Sequence, residues 1–472
     1  MFTSVNLSLF AIRVSQFSLH VSQMMHPSYF SIQNSEISYN FLQPFYNQYN
    51  DGLKGKKNCI FSGCKFSHFL KPVFNVLNGP DSDINRKDII GERPKIDQNA
   101  ANLTVFESLF QECKGNDGGV FFIVFNGDVI IEKSNFVNCS AQGRGGVIFF
   151  YGASLTILES CFSFCQSKTD GYCIFCASGR KKVDVEQCHF YESKGGLSTA
   201  VFLSGFDITT KKLNCTNSNV DSSLLDGSEI DDVIDLLISS SFYLSPSHFF
   251  SFEMNEIVNN TGPYIIYFDK TDQVDTIQNV NIINCKLANE KSTSLIYLTD
   301  GTTIFKNWGF VFADSSSQVF NSNNPLVIFT SSDNSTLTLQ NCFFSLPESS
   351  ISKDSRLVID SSVKFGTSDK AKVDFIKTEG CWNQNRFIFR EPKTYQKVII
   401  SVVVILIFLI GFIFMIVEAC RDEKKHKDLL KAQEYNEMQN ELIQGDEISK
   451  QNEDELMRKK ELSEKLLQSV NG

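Results

Sequence analysis

Short stretches of alternating apolar and polar residues recur along this chain, each running into a phenylalanine and, three positions later, a Cys or Ser. The strongest copies share the template apolar-x-apolar-x-x-small-x-Phe-x-x-Cys/Ser. Alternation with a period of two predicts a β-strand with one buried face. The copies are LTVFESLFQEC (103–113), VIIEKSNFVNC (129–139), LTILESCFSFC (155–165) and VDVEQCHFYES (183–193).

An unbroken apolar run follows each of these copies. Each run begins after a glycine or another small residue, and a glycine closes it. Such a run is typical of a strand with neighbours on both sides in a parallel sheet. Glycine pairs indicate corners, because glycine tolerates positive φ and lets backbones approach closely. The runs are GGVFFIVFNG (118–127), GGVIFFYG (145–152), GYCIFCASG (171–179) and LSTAVFLSG (197–205).

The repeat length indicates the architecture. Phe110, Phe136, Phe162 and Phe190 are separated by steps of 26, 26 and 28 residues. Two or three short strands per repeat cannot bury a core alone, whereas coils stacked about 4.8 Å apart can. Connections between parallel strands are almost always right-handed. We therefore predict an all-β ectodomain, a right-handed parallel β-helix, in which these four phenylalanines stack as an interior ladder.

Two other repeat architectures fit the sequence less well. A leucine-rich solenoid has a similar repeat length, but it needs L-x-x-L-x-L with asparagine. This chain offers Phe-x-x-Cys and β-branched runs instead. A β-propeller needs longer repeats with Trp-Asp-like marks, and the chain has only 2 tryptophans.

The repeat also accounts for several of the 14 cysteines. It stacks Cys113, Cys139 and Cys165 in one column. A Cα separation of about 4.8 Å is short for a disulfide, and three thiols cannot all pair. The cysteines between Cys161 and Cys188 include C-x₃-C and C-x₂-C spacings, for which zinc is an alternative. In an exported chain we expect structural thiols or disulfides, with no metal and no cofactor.

One segment has a different character. VIISVVVILIFLIGFIFMIV, residues 398–417, runs for 20 residues without a charge. That length crosses a bilayer core of about 30 Å at about 1.5 Å per residue. A buried core helix would normally show a polar stripe, which this segment lacks. The sequence therefore predicts one transmembrane α-helix.

Cysteines and glycosylation sequons indicate the orientation of that helix. All cysteines except Cys420 precede it, and so does every Asn-X-Ser/Thr site. These features favour an exported N-terminal part and a cytoplasmic tail, in the plasma membrane or an endomembrane. The glycosylation candidates are Asn6, Asn102, Asn138, Asn214, Asn259 and Asn334.

The tail offers two candidate signals. Tyr435-Asn-Glu-Met438 resembles a tyrosine-based endocytic signal, which implies a cytoplasmic sorting adaptor as a partner. Cys420, beside the predicted span, is a palmitoylation candidate. A solvated helix is the alternative reading of the tail, because both charges are abundant and no sustained heptads occur.

These observations divide the chain. Arg13 interrupts the apolar start and no cleavage site is obvious, so residues 1–28 are either a leader or unstructured. The repeat weakens between about 206 and 275, which leaves the continuity of the β-helix there open. The predicted parts are the ectodomain at 29–385 with an inserted loop at 78–100, a spacer at 386–397, the membrane span at 398–417 and the tail at 418–472.

Charge and acidic residues bear on function. With 44 basic and 54 acidic residues, the net charge of −10 does not favour nucleic-acid binding. A polysaccharide lyase or hydrolase would need carboxylates gathered on one strand face. Asp231 and Asp232 are adjacent but lie in an irregular segment without a supporting His or Arg. His189 occupies an outward repeat position, where we expect it to be solvated. We therefore predict a protein without catalytic residues.

The repeated pieces resemble the polymorphic-membrane-protein family, surface β-helix proteins with GGAI and FxxN motifs. They are most similar to the version in parasitic protists, which adds one C-terminal membrane span and a short tail. The resemblance covers about residues 100–205 most clearly, and it implies adhesion and host interaction. The matching pieces are FSGC (61–64), FQEC (110–113), FVNC (136–139), FSFC (162–165), GGVF (118–121) and GGVI (145–148).

The sequence thus predicts a single-pass cell-surface glycoprotein. Its β-helix presents loops on a rigid scaffold to an extracellular protein or glycan. A membrane-tethered polysaccharide lyase or hydrolase is one alternative, and a structural surface-coat protein is another.

Overall fold

Parallel strands of successive coils pair edge to edge along the N-terminal part of the chain. A computed structural model describes residues 4–8, 19–20, 29–33, 36–38, 45–49, 57–78, 101–177, 181–196, 199–220, 239–269, 275–287, 294–313, 325–329, 335–351, 354–373 and 394–470. The chain divides into two compact units, Met1–Arg390 and Glu391–Gly472.

Three parallel sheets form the first unit within the described residues. The large sheet contains Ser4–Ser8, Leu19–His20, Tyr29–Gln33, Phe45–Tyr49, Lys57–Ser62, Phe74–Asn78, Ala101–Phe106, Phe121–Glu132, Ile148–Leu158, Ile174–Ala177, Lys182–Glu186, Val201–Lys211, Ser239–Glu253, Tyr264–Phe268, Thr276–Gln278, Ser294–Leu298, Thr302–Lys306, Val327–Phe329, Thr336–Gln340 and Leu357–Ile359.

The other two sheets are built from shorter strands. The twelve-strand sheet contains Glu36–Ser38, Lys65–Ser67, Leu109–Gln111, Asn135–Val137, Cys161–Ser163, His189–Tyr191, Asn214–Thr216, Glu256–Val258, Asn281–Ile283, Gly309–Val311, Phe343–Phe344 and Lys364–Phe365. The small sheet contains Lys114–Gly115, Ser140–Ala141, Gln166–Ser167, Lys194–Gly195, Asn219–Val220, Thr261–Gly262 and Lys286–Leu287. A 3₁₀ turn covers Glu348–Ser350. These parallel sheets confirm the predicted parallel β-helix.

The register between coils places equivalent residues directly above one another. Phe110 pairs with Phe136, Phe136 with Phe162 and Phe162 with Phe190 in the twelve-strand sheet. The inward column continues beyond the predicted four residues in both directions, and all coils share one core. In chain order its members are Phe66, Phe110, Phe136, Phe162, Phe190, Cys215, Ile257, Ile282, Phe310, Phe344 and Phe365.

Two corners with left-handed backbone flank the twelve-strand sheet in most coils. The residue at each corner has a φ near +50° to +60°. Its N–H donates to a carbonyl of the next coil, as Glu107 does to Glu132 at 3.0 Å, except at Asn341, where the Ser362 hydroxyl accepts. The first corner is occupied by Gly63, Glu107, Lys133, Glu159, Gln187, Lys212, Met254, Asn279, Asn307 and Asn341, and the second by His68, Glu112, Asn138, Phe164, Glu192, Asn217, Asn259 and Asn284.

The stack is continuous across the region where the repeat is weak in sequence. Strand Val201–Lys211 pairs along its length with Ser239–Glu253, which pairs in turn with Tyr264–Phe268 and Thr276–Gln278. The intervening residues 221–238 lie outside the described residues, as do most residues of the inserted loop expected at 78–100.

Two short strands lie within residues 1–28, the segment that the sequence predicts to be either a leader or unstructured. Ser4–Ser8 forms a strand that pairs in parallel with Tyr29–Gln33, and Leu19–His20 pairs with Phe45–Tyr46. The same stacking therefore begins within residues 1–28, where the sequence template is too degenerate to show it.

The second unit contains one helix, Thr394–Val470, which includes both the predicted span and most of the tail. The side chains of residues 394–415 lie outside the described residues. Among the residues that the structure does describe, no helix is long and apolar enough to cross a bilayer.

Replacing one ring of the interior ladder tests the packing. Phe136 is fully buried between Phe110 and Phe162. We expect Phe136→Ala to lower the free energy of unfolding by about 3–5 kcal/mol, because it removes two ring contacts and leaves a cavity. The control is Phe164→Ala at an exposed corner, expected to cost less than about 1 kcal/mol. Equal losses for the two variants in denaturant titration would contradict the burial of Phe136.

Candidate functional site

The interior aromatic ladder is a packing device. The ring centroids of Phe110, Phe136, Phe162 and Phe190 are separated by 5.1, 4.8 and 4.9 Å, with interplanar angles of 10° to 18°. All four side chains are fully buried. Because no ring face or edge reaches solvent, the ladder stabilises the scaffold and offers nothing to a ligand.

The cysteine column is equally enclosed. Cys113, Cys139 and Cys165 are buried free thiols. Each donates from Sγ to the backbone oxygen of a ladder phenylalanine one coil earlier: Cys113 to Phe66, Cys139 to Phe110 and Cys165 to Phe136, at 3.7 to 3.8 Å. Burial raises the pKa of Cys113 and Cys165 well above the ordinary thiol range. Thiols held in the protonated form are poor nucleophiles, so the column is structural.

The remaining clustered cysteines do not gather around one point. Cys161 is disulfide-bonded, whereas Cys173, Cys176 and Cys188 are free and buried. The Cys173 thiol donates to Ser193 Oγ at 3.1 Å. Within the described part of the chain, no three Cys, His, Asp or Glu side chains are arranged to hold a metal ion.

The glycosylation candidates occupy different environments. Asn138 and Asn259 are exposed and both lie at second corners of their coils, with φ of 54° and 56°. Asn102 and Asn214 are only partly exposed within strands, and Asn214 Oδ1 accepts a hydrogen bond from Thr216 Oγ1 at 2.5 Å. Asn334 and the side chain of Asn6 lie outside the described residues.

The tail candidates lie on the long helix. Tyr435 and Met438 are exposed, and Gln439 Nε2 donates to the Tyr435 hydroxyl at 3.3 Å. The backbone of Cys420 is helical, and its side chain lies outside the described residues.

A second aromatic ladder runs along the outside of the large sheet. Seven rings from successive coils stack with centroid separations from 4.3 to 5.3 Å. Their strand neighbours, such as Phe121 and Ile123, point into the core, so these rings point away from it. In the sequence, each apolar run contains at least one aromatic residue. The rings are Phe122, Phe149, Phe175, Phe202, Tyr243, Tyr267 and Tyr297.

This outer ladder is covered. Phe149, Phe175 and Tyr267 are buried although they point outward. The faces of the inner rings lie against their neighbours, and the Arg144 guanidinium lies 5.1 Å from the Phe175 centroid while its Nε is 3.5 Å from Asp170 Oδ2. A sugar ring stacks on an aromatic face, and the faces within this stack are already occupied.

Aromatic side chains reach solvent where the large sheet bends. The pairing of Val201–Lys211 with Ser239–Glu253 shifts register between Gly205 and Asp207, so Phe206 lies opposite Ser247 and His248. Bulges of this kind re-aim side chains and are common beside functional sites. Phe206 and Phe249 are 40% and 38% exposed. We call Phe206, Asp207, His248 and Phe249 the bend patch.

The bend patch is held in a defined shape. The rings of Phe206 and His248 stack at 4.5 Å with an angle of 5°. His248 Nδ1 lies 2.8 Å from Asp207 Oδ1, and the Ser247 hydroxyl donates to the Gly205 carbonyl at 3.2 Å. The patch therefore combines two exposed phenyl rings with a hydrogen-bonded imidazole and carboxylate, a composition suited to binding a partner.

His189 corrects a sequence interpretation. It points outward, as the register with Cys161 and Asn214 requires, but it is only 4% exposed and therefore not solvated. Its outward neighbours Asn135 and Cys161 are buried as well. The repeat pattern distinguishes the inner face from the outer face, and it carries no information on what covers the outer face.

Comparison with known proteins identifies the fold. A family model described as "Right handed beta helix region" matches residues 21–215. A protein of Dictyostelium discoideum named "Metabotropic glutamate receptor-like protein P" is 26% identical over 253 residues, which cover 44% of this chain and 17% of that protein. The match thus spans about a sixth of that relative's length. Together with the parallel sheets, the family model establishes a right-handed parallel β-helix.

The burial of His189 predicts a pH dependence of stability. Burial lowers the pKa of His189 from 6.5 to about 4. The unfolded chain therefore binds a proton between these values that the folded chain does not. Stability from this group is full above pH 6.5 and falls by up to about 3 kcal/mol as the pH drops to 4.

Substitution by asparagine, which occupies the equivalent position at residue 214, tests this dependence. Urea titrations of His189→Asn should show a shallower loss of stability between pH 6.5 and 4. Phe164→Ala, at an exposed corner and without loss of a titratable group, is the control and should keep the wild-type slope. Identical slopes for wild type and His189→Asn would be inconsistent with a buried neutral imidazole.

Proposed function

We propose that this chain is a single-pass cell-surface glycoprotein whose β-helix binds an extracellular protein or glycan through the bend patch. The uncharged segment 398–417 would be the membrane span, with residues 418–472 as the cytoplasmic tail. The sequons before that segment and the disulfide at Cys161 support an exported N-terminal part. The receptor-like name of the Dictyostelium relative is in keeping with a surface location.

The observation that carries the binding proposal is the exposure of Phe206, His248 and Phe249 on a rigid strand pair. Interface hot spots favour large aromatic side chains at positions that need little ordering on binding. Most rings of the outer aromatic ladder and all four rings of the predicted interior ladder are buried, so these rings are not available to a partner. Adhesion, as in the polymorphic-membrane-protein family, is the form of binding that we favour.

The proposal also assigns roles to exposed residues of the tail and to two corner asparagines. Exposed Tyr435 and Met438 would serve a cytoplasmic sorting adaptor, and Cys420 would carry a palmitoyl group beside the membrane. Asn138 and Asn259 would carry glycans on one edge of the coil stack, away from the outer face of the large sheet.

Substitution of the bend patch tests the binding proposal. We expect full-length chain carrying Phe206→Ser and Phe249→Ser, displayed on cells, to bind partner cells or glycan surfaces roughly tenfold less tightly than wild type. The matched control, Ile130→Ser with Ile304→Ser, removes two exposed apolar residues from the same sheet. Surface abundance measured through an epitope tag corrects for folding.

The outcomes separate the alternatives. Equal losses for both double variants, or no loss for either, would reject the bend patch as the binding site. Release of reducing or unsaturated sugars from a polysaccharide would support the lyase or hydrolase instead. A wild-type chain that binds no surface would support a coat protein.

Protease protection with glycosidase treatment tests the topology. On intact cells we expect protease to remove the β-helix and spare residues 418–472. Ser140→Ala and Thr261→Ala destroy the sequons of Asn138 and Asn259 without altering the corner asparagines, and each should abolish one glycosidase-sensitive mobility shift. Thr216→Ala, which removes the partly buried Asn214 sequon, is the control and should change nothing. Digestion of the tail, or no shift in any variant, would contradict the proposal.

A further inference from the structure

After the last coil that the structure describes, the chain turns back over the outside of the stack. After Lys364–Phe365, Gly366 adopts a φ of 71°, its N–H donates to Leu346 O at 3.1 Å, and the Thr367 N–H donates to Phe344 O at 3.1 Å. Both acceptors belong to the preceding coil. Residues 366–373, which we call the exit segment, therefore run back toward earlier coils.

Asn281 holds this exit segment. Its Nδ2 donates to Ala371 O at 3.2 Å, and the Ala371 N–H donates to Asn281 Oδ1 at 2.7 Å, so one side-chain amide satisfies both backbone groups of one residue. Asn281 is 1% exposed. Its strand lies three strands before Lys364–Phe365 in the twelve-strand sheet, and its side chain points away from the core that Ile282 enters.

Residues of the coils on either side of Asn281 also lie close to the exit segment or to Asn281 itself. A Cβ at Gly309 would lie 2.7 Å from Asn281 Oδ1 and 3.1 Å from Lys370 Cα, so only glycine leaves room there. On the other side of Asn281, burial raises the pKa of Glu256, while the charge of Lys370 and a hydrogen bond with Asn281 act in the opposite direction. Gly309 and Asn281, from two successive coils, thus lie against the same stretch of chain, and Glu256 of the coil before is the register neighbour of Asn281.

We propose that Asn281 and Gly309, with Glu256 beside Asn281, form a clamp that binds the exit segment and ties the last described coil to an interior coil. Terminal repeats of a solenoid fray because they have a neighbour on one side only. With the clamp closed, separation of the last coil also requires loss of the Ala371 contacts three strands away. This inference rests on the proposed function in one respect, that tension from a membrane anchor enters the β-helix through this segment.

The consequence for an anchored protein is mechanical. Tension on an unclamped chain would peel the last coil one hydrogen bond at a time. With the clamp in place, tension that enters through the exit segment loads the Asn281–Ala371 pair before it loads the hydrogen bonds of the last described coil.

Hydrogen exchange on the full chain in detergent micelles tests the clamp. We expect Asn281→Ala and Gly309→Val to raise amide exchange rates roughly tenfold or more, both in residues 366–373 and in the last coil at 357–365. Asn281→Asp, which keeps the acceptor and loses the donor, should give an intermediate increase. The control is Asn135→Ala, at a buried outward position of the same column several coils away.

The readouts keep the result interpretable. Unchanged exchange in the coils around Phe190 and Phe202, which contain none of the substituted residues, shows that a variant is folded. Faster exchange in 366–373 with an unchanged last coil would overturn the clamp, and so would no change in either region. Pulling between the chain termini should show an early short extension at lower force in Asn281→Ala than in wild type. A topology experiment that rejects the membrane span would remove the anchor and leave the exchange result standing.

Discussion

Parallel pairing in register between coils is the constraint on which this structure depends. Each strand exchanges backbone hydrogen bonds with the coil before it and the coil after it, and two left-handed corners in most coils return the chain to the same position one step along the axis. Once this path is fixed, a side chain has no choice of neighbour: it meets the equivalent residue of the next coil. Packing in this fold therefore depends on which residue types can pack against the same or a similar residue in the next coil.

The columns show several answers to that question. Aromatic rings stack face to face along the inside of the twelve-strand sheet and along the outside of the large sheet. At the first corner, the N–H of Ser108 donates to Ser134 Oγ, and the N–H of Ser134 donates to Ser160 Oγ. Corner asparagines pair side chain to side chain from Asn279 through Asn307 to Asn341. Charges cannot stack on like charges, and the outward column Glu186, Lys211, Glu253, Gln278 and Lys306 alternates accordingly.

Much of this arrangement can be predicted from the sequence because the period is visible in it. The Phe-x-x-Cys template predicts the interior ladder, and the fold follows from the spacing. The burial of His189 and the role of Asn281 could not be predicted, because both depend on contacts with the outside of the stack. The left-handed corners could not be predicted either, because Glu107, Lys133 and Glu159 adopt a backbone conformation that Gly or Asn normally indicates. The bend patch arises from a register shift that no periodicity reveals.

The two corners are always five positions apart, as in Glu107 and Glu112 or Asn279 and Asn284. The arc between them has one length, whereas connections elsewhere in the coil vary from a single residue to the 22 between Asn78 and Ala101. Differences in length between coils thus fall along two lines of the stack, one of them beside Phe206. Loops along those two lines could therefore change in length and binding chemistry while the five-residue arc between the corners keeps its structure.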